Sequence, residues 1–333
     1  MLAALIPLLL TACASSAPQA PVPEWAGGEE ALEAAFPDGR YIKQKGRGDS
    51  AKQAETAALS ALSRYFLTGI RDVSSERVTV DSEGRSSSTI DAETFIRSEI
   101  ELFALRYTDP WLESGSVSSG KWETVAYIDR NEAWINYEPK AQKQADAFTA
   151  LFAAAENERD PLKRFFAYRA AEQYTASSAY STTMEFGQKL APEQMNSAFA
   201  EVRARVATIP QRMNEAKKAA NIFVALDTDN EGALNVALAK ALGSAGWAVA
   251  KSRAGAAAIC AATVTEGIQK SDMSTFYFPK ISITLRSASG GDVFSCSIAA
   301  EKQGAVNPDI AKLRAYTALA AAVEKQFSVE LNK

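Results

Sequence analysis

The chain has 333 residues, 47% of them hydrophobic, no histidine, three cysteines and a formal net charge of −4. This length suits about two domains, and this hydrophobic content fills ordinary cores, so wholesale disorder is excluded. The absence of histidine excludes Ser-His-Asp and Cys-His nucleophiles and HExxH zinc sites, and the small net charge argues against general nucleic-acid binding.

The N-terminal segment 1–12 is one apolar run, with the length of a signal-peptide hydrophobic region and too short to span a bilayer. It leads into Leu10-Thr11-Ala12-Cys13, which resembles the lipobox of bacterial lipoproteins. The resemblance implies cleavage before Cys13 and acylation of that residue, and several acyl chains anchor a protein durably. The alternative is a fortuitous apolar tail. The agreement of the run, the motif and the linker that follows favours a lipidated Cys13.

Two details of this segment concern its start and its destination. A signal peptide begins with basic residues, whereas the first charged residue here is Glu24, so we expect the true start to lie further upstream. Ala14 follows Cys13, where lipoproteins retained at the inner membrane carry Asp. The resemblance therefore implies an outer-membrane lipoprotein that faces the periplasm or the cell surface.

A tether and a first folded unit come next. Residues 13–23 are mostly small residues and prolines, which predicts a flexible tether. The unit at 24–138 opens with a strand candidate at 41–48, followed by a helix with a possible capping box at Ser50 and Gln53.

The rest of this first unit has a β-rich pattern. Two alternating runs in 76–90 predict a hairpin, and 121–138 has the strongest strand signal. Together these elements predict a helix packed on a small antiparallel sheet. The aromatic residues of this unit either fill a thin core, which is the favoured interpretation, or form a surface that binds a glycan or peptide. Its tryptophans are Trp25, Trp111, Trp122 and Trp134.

The segment 139–219 is rich in Lys, Gln, Glu and Ala and predicts amphipathic helices. Their apolar positions lie in 148–152, 162–174 and 195–209. Such helices form a spacer or a partner-binding arm, or else they bury their apolar faces against each other, which is the favoured alternative.

The last unit, 220–333, has the predicted order β-α-β-β-β-β-α, which indicates a mixed sheet with helices on one face. A hairpin is predicted across Ser289–Asp292, and Pro308 opens the final helix. The predicted apolar stripe of that helix consists of Leu313, Tyr316, Leu319, Val323 and Phe327.

Cys260 and Cys296 lie in two of these predicted strands. A disulfide between them requires Cα atoms within about 7 Å, which neighbouring strands supply. The other interpretation is two buried free thiols.

Two motifs have weak chemical interpretations. Gly46-x-Gly48-x-x-Ala51 has the spacing of a dinucleotide fingerprint, but the strand before it is too polar for a central parallel strand. The segment from Asp227 to Gly232 resembles the start of a calcium loop, yet its twelfth position is Leu238. We therefore expect a tight turn at the first motif and a polar turn at the second, with no nucleotide, metal or other cofactor and no catalytic residue.

Residues 24–138 resemble the lipoprotein-twenty (Lpp-twenty) family, whose domain is similar to the N-terminal domains of the flagellar lipoproteins FlgP and FlgT. The motifs that carry the resemblance are Pro23-x-Trp25, Arg40-Tyr41-Ile42, Gly46-x-Gly48, the alanines Ala51, Ala54, Ala57 and Ala61, Gly120-Lys121-Trp122, and Val125 to Arg130. The resemblance implies a surface or outer-membrane lipoprotein with no established enzymatic activity.

Residues 220–330 more weakly resemble the N-terminal domain of TolB and the related CsgG and LpoB-like lipoproteins. The pattern is a strand, a helix from Leu238 to Gly246, the sequence Gly-Trp-Ala-Val, the strand around Cys260, a hairpin and a last helix. This resemblance implies a domain that docks protein partners in the envelope.

The sequence thus predicts two small α+β domains separated by a helical segment, in a non-enzymatic lipoprotein that docks envelope proteins, either flagellar or peptidoglycan-associated. The alternative is a surface lipoprotein that binds a small ligand or glycan. A third hypothesis is a hydrolase that uses carboxylates alone. No nucleic-acid partner is expected.

Overall fold

The computed structural model describes residues 21–76, 100, 105–113, 120–227 and 232–332, with the backbone alone at 69–76. Its helices and sheets confirm the predicted α+β class. The chain divides into two compact units. Unit 1 comprises Met1–Pro139 and Glu185–Gln194, and unit 2 comprises Lys140–Met184 and Met195–Lys333.

Unit 1 contains an antiparallel sheet in which the longest strands are β1 (Tyr41–Gly48) and β4 (Trp122–Asp129). The short strands β2 (Arg106–Tyr107) and β3 (Trp111–Leu112) also pair with β4. Helix α2 (Ala51–Glu76) packs on one face of β1 and β4. Side chains alternate between the two faces of a strand, so Val125 and Tyr127 of β4 lie on the face opposite α2. On that face they contact residues brought there by a 3-10 helix and α1, namely Trp25, Leu32 and Phe36. The 3-10 helix is Glu24–Ala26 and α1 is Glu29–Ala35.

Only the first half of the segment 121–138, predicted as a strand, is a strand. The strand β4 ends at Asp129 and a helix begins at Arg130. An oxygen of Asp129 accepts the backbone N–H groups of Asn131 and Glu132, at 3.0 and 3.3 Å, and so caps α3 (Arg130–Asn157). Trp134 and Tyr137 are therefore buried helical residues and not strand residues. The hairpin predicted at 76–90 lies, beyond Glu76, outside the described residues.

The helices of the middle segment are more numerous than predicted. They are α3, α4 (Pro161–Ala176), α5 (Ser178–Leu190), α6 (Pro192–Ala198) and α7 (Ala200–Ala220). Within unit 2 their apolar faces pack against each other, as favoured from the sequence, in a cluster that includes Phe148, Phe152, Tyr168, Tyr180 and Ile209.

Unit 2 also contains the last domain, whose main sheet has the order β10-β9-β6-β5. The strands are β5 (Ile222–Leu226), β6 (Ala258–Thr265), β9 (Lys280–Ser287) and β10 (Asp292–Ala299). Strands β5 and β6 are parallel and the other pairs antiparallel, so the predicted mixed sheet and the β9–β10 hairpin are both present. Two helices, α8 (Ala233–Ser244) and α9 (Pro308–Glu330), contact each other and share the core of this sheet.

A second, small sheet extends the last domain in the order β11-β8-β7. Its strands are β7 (Ile268–Lys270), β8 (Thr275–Tyr277) and β11 (Gln303–Ala305), and α9 packs against β8 and β11.

The helical segment shares its core with the last domain. Leu162 and Phe165 of α4 and Ala216 of α7 belong to the same buried cluster as the main sheet. Phe165 lies edge-on to Trp247, with ring centroids 4.6 Å apart. Unit 2 is therefore one packed body of helices and sheet.

Asp160 joins α4 to the turn between β9 and β10. One carboxylate oxygen caps α4 by accepting the N–H groups of Leu162 and Lys163, at 3.0 and 3.1 Å. The other accepts the hydroxyls of Ser287 and Ser289. Burial raises the pKa of Asp160, but these hydrogen bonds outweigh burial and hold the pKa below its usual range.

Candidate docking surface

The predicted lipidation site, Cys13, lies outside the described residues. The apolar segment 1–12 and most of the tether also lie outside them. Within the described part of the chain, no helix combines the length and the apolar character needed to cross a bilayer. The site that the structure can describe must therefore be sought in the two folded units.

Cys260 and Cys296 are both free thiols on the core face of the main sheet. Cys260 pairs with Leu285 of β9 and Cys296 pairs with Ile283 of β9, so β9 runs between them. Two strand spacings are about 9.5 Å, beyond the 7 Å or so that a disulfide spans, so of the two interpretations left open by the sequence the structure favours free thiols. Burial raises the pKa of Cys260 to about 12 and that of Cys296 to about 11, which makes both thiols poor nucleophiles at neutral pH.

The glycines of Gly46-x-Gly48 lie within strand β1 and not in a turn. A Cβ on Gly46 would lie 2.1 Å from the carbonyl oxygen of Ala54 and 2.2 Å from the nitrogen of Ala58. The motif is thus a contact between a strand and the backbone of α2, which needs residues without side chains. Half of the possible capping box forms: the N–H of Gln53 donates to the hydroxyl of Ser50 at 3.2 Å. The side-chain oxygen of Gln53 accepts the N–H of Asp49, one residue before the expected donor, at 2.8 Å.

Of the calcium-like segment, Asp227 and Gly232 are described. Gly232 has φ of 70° and precedes the first turn of α8, which explains why glycine stands there. Leu238, at the position of the closing ligand, is fully buried in the core. Among the described residues, no group of three or more Cys, Asp or Glu side chains is arranged to hold a metal ion.

The tryptophans of unit 1 are buried or half-buried, so they belong to the core and not to an exposed aromatic surface. Trp25 and Trp134 are buried, and Trp111 and Trp122 are half-buried beside the sheet. A groove of about 900 Å³ lies along α1 and β1, but its lining is mostly charged and includes none of these rings. The residues that line it include Glu29, Glu30, Glu33, Asp38, Lys43 and Lys45.

One lysine neutralises part of the negative charge in this groove. Lys43 donates to both Glu33 and Asp38, the latter at 2.6 Å, and its side chain is largely buried. Hydrogen bonds from Lys43 hold the pKa of Glu33 and of Asp38 below their usual values. The groove is therefore an ion-paired surface, without the apolar walls of a small-molecule site.

The two most exposed large apolar side chains of the described part of unit 2 lie at one end of the small sheet. The side chains of Met273 and Val306 are each 80% exposed. Thr275, the first residue of β8, pairs with Ala305, the last residue of β11. Met273, in the turn before β8, and Val306, just after β11, therefore lie at the same end of the sheet. The sequence analysis missed both, because neither belongs to a periodic apolar pattern.

Helix α9 adds two more exposed apolar residues beside this end. Ile310 and Leu313, 46% and 47% exposed, are three residues apart and so lie on one side of the first turns of α9. Leu313 had been assigned to the buried stripe of this helix, but that stripe starts at Ala311 and Ala315 and continues as predicted from Tyr316. We call Met273, Val306, Ile310 and Leu313 the apolar tip.

Hydrogen bonds and an ion pair hold the segments that carry the apolar tip. Glu266, between β6 and β7, accepts the hydroxyl of Tyr316 at 2.5 Å and pairs with Lys312 at 2.9 Å. The hydrogen bonds from these two residues hold the pKa of Glu266 below its usual value. Asn307 caps α9 by accepting the N–H groups of Asp309 and Ile310. The tip is thus a small apolar surface on a rigid base, surrounded by charged groups, which suits protein recognition.

No family model matches this chain, and no curated protein matches it. Among solved structures, a minor lipoprotein from Acinetobacter baumannii is 7% identical, covers 34% of this chain and 87% of its own, and has a TM-score of 0.25. A secreted protein from Helicobacter pylori is 10% identical, covers 86% of this chain and 97% of its own, and has a TM-score of 0.28. TM-scores this low support no argument about this chain. The resemblances at 24–138 and 220–330 stay predictions.

Proposed function

We propose that this chain is a lipid-anchored protein of the bacterial envelope that docks a protein partner through the apolar tip. The sequence Leu10-Thr11-Ala12-Cys13 and the tether at 13–23 support the anchor. The acyl chains fix the protein at the outer membrane, the tether supplies reach, and the folded units supply the docking surface. The family resemblances favour a partner in the flagellar or peptidoglycan machinery.

The observation that carries the docking role is the exposure of the apolar tip. Solvent-exposed apolar residues are common singly, but a contiguous group with a polar rim is typical of a protein interface. Glu266 and Asn307 hold the base of the tip in place, so little conformational freedom is lost on binding.

A non-enzymatic role is supported by the ionisable groups. Every described carboxyl group with a resolved pKa shift has its pKa lowered, whereas a general acid near neutral pH needs a raised pKa. These carboxylates belong to Glu33, Asp38, Asp129, Asp160, Glu266 and Asp292. Each accepts hydrogen bonds that serve the fold.

Site-specific photo-crosslinking in intact cells tests the docking role. A photoreactive residue at Met273 is expected to crosslink one defined envelope protein, and the same residue at Val329, 53% exposed at the far end of α9, is the matched control. Val306→Asp should abolish the product formed at position 273, because a desolvated charge would be buried at the interface. Equal products at 273 and 329, or a product insensitive to Val306→Asp, would refute docking through the tip.

Cell fractionation tests the anchor separately. Cys13→Ser removes the acylated thiol. We expect the variant to be found in the soluble fraction and no longer in the membrane fraction that detergent extracts. Membrane association that persists in this variant contradicts lipidation at Cys13, whatever the crosslinks show.

A further inference from the structure

In the part of the chain that the structure describes, strand β10 forms an open edge of the main sheet. The sheet order ends in β10, which pairs with β9 on one side. Ser295, Ser297 and Ala299 are exposed. An edge strand with free backbone groups is a template for another strand.

One hydrogen bond defines which backbone groups of β10 face outward. The N–H of Ala300 donates to the carbonyl oxygen of Pro279 at 3.1 Å, which continues the β9–β10 register by one residue. Hydrogen-bonded pairs alternate along antiparallel strands, so Phe294, Cys296 and Ile298 bond to β9. The backbone groups of Ser295, Ser297 and Ala299 therefore point away from β9. Among the described residues, no other segment makes a backbone hydrogen bond to these three.

Most of this edge is open to strand addition, because the register shift of β10 lies at its start, between Asp292 and Phe294. From Val293 to Ala300 it carries no charge and no proline. On its core face, Phe294 and Cys296 remain half-exposed, although α4 and α9 place Phe166 and Phe327 beside Phe294. The core of unit 2 is thus incomplete along this edge.

We propose that β10 pairs antiparallel with β10 of a second copy of this chain, about a two-fold axis beside Cys296. This register places Ser295 opposite Ser297 of the second copy and Phe294 opposite its Ile298. It aligns the uncharged segments over their whole length, and Asp292 falls opposite Ala300, so no like charges oppose each other within the two strands. Each copy also brings Glu330 of α9 near Cys296, so two carboxylates flank the axis. The two Ser295–Ser297 pairs supply about four backbone hydrogen bonds, and the flanking residues add more.

The same register brings the two Cys296 residues together. They form a non-hydrogen-bonded pair, whose Cα atoms are about 4.5 Å apart, within the range of a disulfide. Cys260 lies two strands inward and stays out of reach. Self-association of this kind does not depend on the apolar tip or on the lipid anchor.

Analytical ultracentrifugation of the full chain carrying Cys13→Ser tests the proposal, with a dimer expected. At mildly alkaline pH, where more of the Cys296 thiol is ionised than at neutral pH, diamide should yield a covalent dimer, since it is reduced to the hydrazine as it oxidises two thiols to one disulfide. That product should be lost in Cys296→Ser and retained in Cys260→Ser. A monomer at all concentrations, or a covalent dimer that survives Cys296→Ser, would overturn the proposal.

Paired charges test the register directly. Ser295→Lys with Ser297→Lys sets like charges opposite each other across the axis, so the protein should become monomeric with an unchanged circular dichroism spectrum. Ser295→Lys with Ser297→Glu sets opposite charges there and should restore the dimer. Both variants sit on the exposed face of the strand, where the fold tolerates them. A dimer in the first variant, or a monomer in the second, contradicts the pairing.

Discussion

Replacing Asp160 with alanine is expected to loosen the attachment of α4 to the main sheet. The substitution removes the cap of α4, which accepts the N–H groups of Leu162 and Lys163. It also removes the acceptor of the hydroxyl of Ser287, a residue that is 2% exposed. Both losses fall at one point of contact between a helix and a hairpin turn in unit 2.

The magnitude follows from these two losses. A lost N-cap costs about 1 kcal/mol. The hydroxyl of Ser287 loses its carboxylate acceptor but keeps the hydroxyl oxygen of Ser289 at 2.7 Å, so this loss costs about 0.5–1.5 kcal/mol. We therefore expect Asp160→Ala to lower the free energy of unfolding by about 1.5–2.5 kcal/mol. Asp160→Asn keeps a capping oxygen and can donate to the hydroxyls, so it should cost less.

Urea unfolding followed by circular dichroism measures this cost. The matched control is Asp146→Ala, since Asp146 is exposed and bonds only to Gln142, and its change should stay within about 0.5 kcal/mol. Hydrogen exchange should show lost protection in 161–176 and in the β9–β10 turn of the Asp160 variant. Equal stabilities of the two alanine variants would refute the reasoning.

The pH dependence of this contribution has a definite sign. The pKa of Asp160 is lowered in the folded protein, whereas an unfolded Asp titrates near about 3.9. The stabilisation is therefore complete above about pH 5 and is lost as the pH falls through the folded-state pKa. The difference between wild type and Asp160→Ala should be constant from about pH 6 to 8 and shrink below about pH 4.

Two further substitutions test the packing of each unit by urea unfolding. Gly46→Ala should lower the free energy of unfolding by about 2 kcal/mol, because its Cβ would lie 2.1 Å from a backbone oxygen of α2, whereas Gly39→Ala has open space and should be near neutral. Lys217→Met should cost about 1–2 kcal/mol, because the ammonium donates to the carbonyl oxygen of Ala245 at the end of α8, at 2.9 Å. Lys218→Met, on the exposed side of the same helix, is its control. Losses in the controls equal to those in the variants would contradict both arguments.

Local patterns predicted much of unit 2. The hairpin between β9 and β10 has glycines at 290 and 291 with φ of 95° and 93°, and this turn chemistry is legible in the sequence. The start of α9 at Pro308 is equally legible, since proline is favoured in the first turn and Asn307 caps it. Both features depend on residues close together in the chain.

Features that depend on contacts between distant segments were beyond the sequence. One error had a local cause: the strand signal at 121–138 contains a helix start because Asp129 caps α3, and aromatic residues suit strands and buried helices alike. The sequence around Gly46 is typical of a turn, and only the packing of α2 on β1 shows that this glycine is needed for a close contact. Cys260 and Cys296 each occupy a strand as predicted, but the strand order places β9 between them.

The two surfaces proposed for association differ in how the sequence encodes them. At the β10 edge, the absence of charge from Val293 to Ala300 is a local pattern. It matters for association only because, among the described residues, one side of β10 has no partner strand. At the apolar tip, Met273 and Val306 are 33 residues apart and become neighbours through the pairing of β8 with β11. Exposure of apolar side chains is a property of strand register and sheet order together, so surfaces of this kind emerge from the fold and not from any single segment.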